Sequence, residues 1–198
     1  MTDIPSRGQT SQVSLAIAHP VRGLSTPMAH DFRSLFESQC AYVWTTLRRL
    51  GVARADLEDV CHEVFVTIHR HLDEYDPSRP LRPWLFLFAY RQASDYRRRS
   101  HRRHERLGDG LEPADDSPLP DELAEQREDR SLVLHALDAL DLEKRAVLVM
   151  HEIDGYPMPQ VAAALAIPLN TGYSRLRLAR QEFARAVRQL SGPRERER

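Results

Sequence analysis

The sequence predicts an all-α protein made of two small helical domains, the second with a helix-turn-helix, joined by a flexible acidic linker. Three observations lead to this prediction. Apolar residues recur at three- and four-residue spacing through most of the chain, which is the period of an amphipathic helix. No segment of useful length alternates apolar and polar residues as a strand does. An acidic stretch rich in glycine and proline interrupts the helical pattern near the middle.

The predicted domain boundaries follow these changes in pattern. Residues 1–28 are polar and interrupted by prolines, which is typical of a flexible tail. Residues 29–106 form the first domain and residues 130–191 the second, with the linker at 107–129 and a charged tail at 192–198. No apolar run approaches the roughly 20 residues of a transmembrane helix. With no signal peptide and only two cysteines, we expect a cytoplasmic protein without membrane insertion.

Three helices are expected in the first domain. The first begins near His30 and stops at Gly51, and the second can be capped by Asp56. The third follows the proline-rich loop "DPSRPLRP", beginning apolar and ending basic. The second helix carries one apolar stripe, formed by Leu57, Val60, Val64, Phe65, Ile68 and Leu72.

Four helices are expected in the second domain, and the last two form a helix-turn-helix. The first two are divided near Asp141. Residues 159–167 make a short helix that ends in the turn "AIP", and the last helix starts near Asn170 or Thr171, either of which can cap it. Its inward face is predicted to hold Leu176, Ala179, Phe183, Val187 and Leu190. The opposite face is rich in side chains that hydrogen-bond to bases, which favours a recognition helix for the DNA major groove.

Charge is arranged in blocks that the net charge of −1 hides. Residues 91–106 hold seven arginines against two acids, residues 109–129 hold nine acids against one arginine, and residues 170–198 hold eight arginines against three acids. Clustered charge of this kind favours an electrostatic partner. A set of solvated helix faces is the alternative explanation for any single block.

Two segments resemble bacterial extracytoplasmic-function (ECF) sigma factors. The family's fourth, promoter-binding region is similar to "LDALDLEKRAVLVMHEIDGYPMPQVAAALAIPLNTGYSRLRLAR", and its second region is similar to "DLEDVCHEVFVTIHRHLDEYDPSRPLRPWLFLFAYRQASDYRRR". Both occur in the family's order. The resemblance implies a sigma factor whose partners are core RNA polymerase, promoter DNA that is double-stranded at −35 and melted at −10, and an anti-sigma factor.

The resemblance also implies which residues serve each partner. Core polymerase would contact Asp59, His62 and Glu63, which share one helix face; His62 replaces the family's usual glutamine and could make the contact pH-sensitive. The −10 element would be held by Tyr75, Asp76, Ser78, Arg79, Arg91, Gln92, Asp95, Arg98, Arg99 and Arg102. The −35 element would be read by Asn170, Thr171, Tyr173, Ser174, Arg175, Arg177, Leu178, Arg180 and Gln181. Trp84 and Phe86 could stack on bases, but core packing is favoured for both.

Three residues depart from the family's pattern in the helix-turn-helix. Gly172 stands where valine is usual, Ala166 where the turn usually has glycine, and Leu178 where a basic residue is common. The first removes a side chain that the family buries. The third could contact a thymine methyl group in the major groove. These departures concern the details of −35 recognition and leave the expected fold unchanged.

Two other functions compete with this interpretation. An enzyme is disfavoured, because the chain has no glycine-rich phosphate loop, no nucleophile elbow and no HExxH pair. A metal site at Cys61 and His62 is disfavoured because adjacent positions diverge on a helix, and no cofactor or metal is expected. A stand-alone helix-turn-helix regulator is the nearer alternative. It would give no role to "DVCHEVF", the basic third helix or the acidic linker.

Overall fold

The computed structural model describes residues 32–107 and 124–191, with side chains over 32–102 and 130–191. Within these ranges the regular structure is helical and contains no strand, which confirms the all-α fold class. The predicted N-terminal tail, most of the predicted linker and the charged C-terminal tail lie outside the described residues. Every described helix is too short or too polar to cross a membrane.

The first domain is a three-helix unit. Helices α1 (Phe32–Arg49), α2 (Leu57–His71) and α3 (Leu81–Leu107) pack on one another around a core that includes Val43, Val64 and Phe86. The α2 stripe is buried as predicted except at Leu72, which is half-buried.

Asp56 does not cap α2, so that prediction is wrong. The residue precedes the helix, but its side chain makes no capping hydrogen bond. Its Oδ2 instead accepts a hydrogen bond of 2.7 Å from the Tyr96 hydroxyl. The carboxylate therefore ties the start of α2 to α3, a long-range contact that the local sequence does not reveal.

The second domain contains four helices and one π-helical turn. Helix α4 (Ala124–Asp138) begins inside the segment 107–129 that the sequence assigns to the linker. Helix α5 (Leu142–Leu148) follows, capped by Asp141, whose Oδ1 accepts a 2.9 Å hydrogen bond from Lys144 N. The turn Val149–Ile153 continues it as a π-helix.

The helix-turn-helix consists of α6 (Met158–Ala164) and α7 (Leu169–Ser191). The predicted cap at Asn170 or Thr171 is wrong, because α7 begins at Leu169 and its first bond runs from Gly172 N to Pro168 O. Proline tolerates this cap because only its carbonyl is needed. The predicted inward face is buried at Leu176 and Ala179, whereas Leu190 is 46% exposed and Ala186 is buried instead.

The glycine at 172 has a packing reason. A Cβ there would come within 2.7 Å of Met158 Sδ, so glycine allows α6 to lie close against α7. The departure from the family's valine is therefore matched by the large side chain at Met158, which occupies the space.

The two domains pack against each other. α3 contacts α6, α1 contacts α4, and the buried apolar residues of both domains form one continuous cluster. This arrangement places the basic helix of the first domain beside the helix-turn-helix of the second.

Candidate polymerase and promoter interface

The three predicted polymerase-contacting residues are exposed together on α2. Asp59, His62 and Glu63 all face solvent, and the neighbouring buried residues Val60 and Val64 hold the helix on the core. Glu63 Oε2 lies 3.3 Å from Arg99 Nη2 of α3, with both side chains about half exposed. An exposed pair of this kind contributes little to stability, so Glu63 can exchange Arg99 for another cation.

An apolar groove of about 400 Å³ lies beside these residues. Phe36 of α1 is 41% exposed, and its ring lies 4.7 Å from that of the buried Phe65. His62 lines the groove with Phe32, Phe36, Phe65, Val66, His69 and Arg70. Sequence reasoning missed this surface because the helical apolar period that includes Phe32 and Phe36 does not distinguish a core residue from one that lines a groove. Exposed rings beside a carboxylate pair are typical of a protein-docking surface.

The predicted −10 loop is held in one conformation by its own hydrogen bonds. Asp76 Oδ1 accepts bonds from Ser78 N at 3.0 Å and Ser78 Oγ at 2.7 Å, and these bonds lower the pKa of the Asp76 carboxyl. The Tyr75 hydroxyl donates to Arg79 O at 2.7 Å, and its ring lies 5.0 Å from that of Trp84. The loop is therefore ordered before any base reaches it.

Core packing explains the two aromatic residues that follow the loop. Phe86 is fully buried, and Trp84 is half-buried with its ring 4.8 Å from that of Phe88. Trp84 packs against the Tyr75 ring and is not exposed for stacking on a base.

The predicted −10 residues of α3 form an exposed basic row. Arg91, Asp95, Arg98, Arg99 and Arg102 are exposed, and Gln92 is half-buried. Arg98 Nη2 donates to Asp95 Oδ1 at 2.5 Å within the helix, and Arg102 Nε donates to Arg98 O at 3.3 Å. Helical spacing keeps these groups on one side, where they suit the phosphates of a duplex.

The predicted −35 residues lie along α7. Seven of them are exposed: Asn170, Tyr173, Ser174, Arg177, Leu178, Arg180 and Gln181. Thr171 and Arg175 are half-buried. The opposite face packs inward through Leu176 and Ala179. The structure thus presents the predicted reading face to solvent.

Acidic residues of the same domain hold two arginines of this face. Arg175 pairs with Glu143 of α5, and Arg180 Nε donates to Glu152 Oε1 of the π-helical turn at 2.8 Å. Lys144 Nζ lies 2.6 and 2.8 Å from the two oxygens of Glu182, which further joins α5 to α7. Sequence reasoning missed these acids, since nothing local indicates which helix they will face.

No group of three histidine, cysteine, aspartate or glutamate side chains could hold a metal ion in the part of the chain that the structure describes. Cys40 is half-buried and Cys61 buried, and both are free thiols. Burial raises the pKa of the Cys61 thiol to about 12, and the neighbouring Cys40 adds to this effect. Cys61 is therefore a neutral core side chain at physiological pH.

Two family models match the chain, one on each domain. The model of sigma-70 region 2 matches residues 35–103, and the model of sigma-70 region 4 matches residues 130–183. The first match covers the acidic face, the −10 loop and the groove except for Phe32. The second covers the helix-turn-helix and most of α7.

Curated relatives match along most of their length. RNA polymerase sigma factor CnrH of Cupriavidus metallidurans is 34% identical over 146 residues, which cover 69% of this chain and 76% of that protein. ECF RNA polymerase sigma factor SigL of Mycobacterium tuberculosis is 30% identical over 171 residues, covering 86% of this chain and 96% of that protein.

Two solved structures share the fold. The sigma factor RpoE from Bartonella quintana, in complex with the anti-sigma factor NepR, aligns with a TM-score of 0.65 at 18% identity over 80% of this chain and 97% of that one. CnrH in complex with the cytosolic domain of CnrY aligns with a TM-score of 0.56 at 25% identity, covering 77% of this chain and 84% of that one.

Proposed function

The chain belongs to the ECF subfamily of RNA polymerase sigma factors, and we propose how its exposed surfaces divide the work of that family. It binds core RNA polymerase, recognises −10 and −35 promoter elements and initiates transcription of a specific regulon. One observation carries this function: the region 2 and region 4 matches lie in the family's order on two helical domains. A stand-alone helix-turn-helix regulator would need only the second.

The acidic face of α2 is our proposed site for core polymerase. Asp59, His62 and Glu63 supply charge and hydrogen bonds, and the adjacent groove at Phe36 supplies apolar area. This combination of a desolvated apolar centre and a polar rim is what specific protein interfaces use. This assignment is supported by the exposure of all these groups on one side of the first domain.

The loop and the basic row of the first domain are our proposed −10 site. The loop residues Tyr75, Asp76, Ser78 and Arg79 would hold an unstacked base, because they combine a ring with ordered hydrogen-bonding groups. The row of α3 would bind phosphates through Arg91, Arg98, Arg99 and Arg102, with Gln92 and Asp95 among them.

The exposed face of α7 is our proposed −35 reader. Arg177 lies in the middle of that face, where a guanidinium can bind a guanine edge with two hydrogen bonds. Leu178, 38% exposed, suits a thymine methyl group. The remaining contacts to bases and phosphates would come from Asn170, Thr171, Tyr173, Ser174, Arg175, Arg180 and Gln181.

We further propose an anti-sigma partner, a cytoplasmic location and no catalytic activity of its own. The two solved structures that share the fold each hold a sigma factor with an anti-sigma protein or its cytosolic domain. A chain that works on polymerase and promoter DNA must reside where both are found. The chemistry of RNA synthesis then belongs to polymerase.

The test is transcription in vitro with core RNA polymerase, the full chain and a pool of genomic DNA. We expect start sites that share two upstream elements and that vanish when the chain is omitted. Retention of core polymerase on the immobilised chain separates a sigma factor from a simple regulator. Binding to DNA without retention of polymerase would favour the regulator.

A further inference from the structure

A carboxylate of the π-helical turn holds an arginine at the edge of the proposed reading face. Glu152 Oε1 accepts two hydrogen bonds from Arg180 of α7, one from Nε at 2.8 Å and one from Nη2 at 2.5 Å. The Glu152 side chain is 40% exposed and the Arg180 side chain is 57% exposed. An exposed pair of this kind adds little to the stability of a fold. Stability therefore gives no reason for its place beside the reading face.

The turn that carries Glu152 is fixed on the core. Val149 and Met150 are fully buried, and the hydrogen bond of 2.9 Å from Asp154 N to Val149 O spans five residues, as in a π-helix. Turns of this kind are rare and are found frequently at functional sites. In this chain the turn places the Glu152 carboxylate opposite α7, on a backbone that its buried neighbours hold in position.

The pair leaves one edge of the Arg180 guanidinium free. An arginine side chain has five N–H donors in a rigid planar fork. The carboxylate occupies the edge formed by Nε and Nη2. The edge formed by Nη1 and Nη2 keeps the other donors and has the shape that binds O6 and N7 of a guanine. Glu152 therefore fixes the direction of the edge that is available to DNA.

Arg180 lies next to Arg177 on the surface of α7. Three positions along an α-helix correspond to about 60° around its axis and about 4.5 Å along it. Successive base pairs of B-DNA are about 3.4 Å apart, so the two side chains suit neighbouring base pairs. An oriented Arg180 would extend sequence recognition by one base pair beyond the one assigned to Arg177.

An arginine without this partner would act differently at the same position. Non-specific binding to DNA comes almost entirely from cations that neutralise phosphates, whatever the sequence. A long side chain released from Glu152 samples many rotamers and can meet phosphates in any register. The carboxylate also offsets the charge of Arg180 on DNA that lacks the correct base. Holding Arg180 therefore favours the correct sequence and disfavours the others, and both effects raise specificity.

We propose that Glu152 is a positioning residue for −35 recognition, which directs the Arg180 guanidinium towards a base edge and withholds it from the phosphates of unrelated sequences. This inference rests on the proposed function of α7 as the −35 reader, and it adds a residue outside α7 that sets the specificity of that helix. Glu152 acts through Arg180 and needs no DNA contact of its own.

Binding of the reconstituted holoenzyme to two DNA fragments tests this role. One fragment is a promoter mapped by transcription, and the other is the same fragment with its −35 element shuffled. Glu152→Ala should lower the ratio of the two affinities by about fivefold or more, the lower range for loss of one bidentate base contact. For the shuffled fragment, the slope of log affinity against log salt should steepen by about one unit, as for one added phosphate contact.

Further variants show whether Glu152 acts through Arg180. Glu152→Gln keeps an oxygen that accepts hydrogen bonds but loses the charge, so it should recover part of the promoter affinity while keeping the steeper slope. In an Arg180→Ala background, Glu152→Ala should change neither the ratio nor the slope. Glu37→Ala is the matched control, because it removes an acid from another exposed pair with an arginine, on α1, and it should change neither value.

Folding and specificity are measured separately. Circular dichroism checks that Glu152→Ala keeps its helices; if it does not, the salt slope of Glu152→Gln decides, and an unchanged slope contradicts the proposal. An unchanged affinity ratio in a folded Glu152→Ala, or an equal fall in the Arg180→Ala background, would overturn the role of Glu152 while a wild-type preference for the intact −35 element stands. A wild-type holoenzyme that binds both fragments equally would instead refute the proposed −35 reader itself.

Discussion

The basic helices of the two domains hold their arginines in different ways. On α3, Arg98 pairs with Asp95 one turn away on the same helix, and Arg99 reaches Glu63 across an exposed surface. On α7, Arg175 and Arg180 pair with acids that belong to α5 and to the π-helical turn. Both α3 pairs are exposed, and so is the Arg180 pair, whereas the Arg175 side chain of α7 is only 24% exposed in its pair with Glu143 of α5.

This difference indicates different uses. Exposed pairs contribute about 0–1 kcal/mol, so the arginines of α3 can leave their carboxylates for phosphates at little cost. On α7 the half-buried Arg175 is held against α5 by Glu143, which fixes the helix face beside Arg177. A fixed orientation is what base recognition needs, because two hydrogen bonds to one base edge tolerate little displacement. We therefore expect α3 to bind DNA phosphates and α7 to recognise bases.

The largest expected effect comes from reversing the charge of Glu63, the acid that pairs with Arg99 of α3. Glu63→Arg replaces the proposed polymerase contact by a repulsive charge, and it also removes the partner of Arg99. We expect core polymerase to bind at least about 2 kcal/mol more weakly, as for loss of a charged interface partner. A titration of core enzyme with the labelled chain measures it.

Glu58→Arg is the matched control for that titration. Glu58 is exposed on the same helix but about 140° away from Glu63 around the axis. It should leave polymerase affinity nearly unchanged. Equal weakening by both variants would mean that net charge, and not this face, governs binding.

Arg177→Ala tests reading by α7. Loss of a bidentate base contact should cost about 1–3 kcal/mol and relax the preference at one base pair of the −35 element. The measurement is transcription from a promoter library that varies the −35 sequence. A uniform drop across all −35 sequences would show that Arg177 does not read a base and that the assigned face is rotated wrongly.

Arg98→Ala tests gripping by α3 in the same library. Loss of a phosphate contact should lower activity evenly for all promoters and reduce the slope of log affinity against log salt by about one unit. Binding at two or more salt concentrations measures the slope. A change in sequence preference instead would abolish the contrast between the two helices.

The features of this molecule that the sequence predicts are those that depend on local patterns. The helical period placed all seven described α-helices, and the charge blocks located the exposed faces of α3 and α7. These features depend on spacing within one element, which sequence displays directly.

Contacts between distant elements could not be predicted in this way. Aspartate is a residue type that commonly caps helices, but the Asp56 side chain binds Tyr96 instead. Asp154 lies in a loop, yet it is buried against α1. The acids that hold α7 lie 28 and 32 positions from their arginines. Phe36 fits a core pattern although it lines a groove. In each case tertiary packing decides which of several local options is used.

The smallest expected effect concerns two of the left-handed residues, one in each domain. Gly51 has φ 91°, which glycine adopts without strain, whereas Ala166 in the helix-turn-helix has φ 53°. The left-handed conformation costs a non-glycine residue about 1–2 kcal/mol, and the added freedom of an unfolded glycine offsets about 0.4–1 kcal/mol of any relief. Ala166→Gly should therefore raise the free energy of unfolding by about 0.5 kcal/mol, measured by urea denaturation.

Gly51→Ala is the counterpart in the first domain and should act in the opposite direction. It combines a strained backbone with a collision between the new Cβ and Arg145 Nη1. Alanine at 51 should therefore destabilise the fold and, since Arg145 belongs to the second domain, loosen the contact between the domains. Neither variant alters a proposed DNA contact. Equal losses of stability from both substitutions would mean that the alanine at 166 is not strained, because relief of its backbone is the only gain that glycine could bring there.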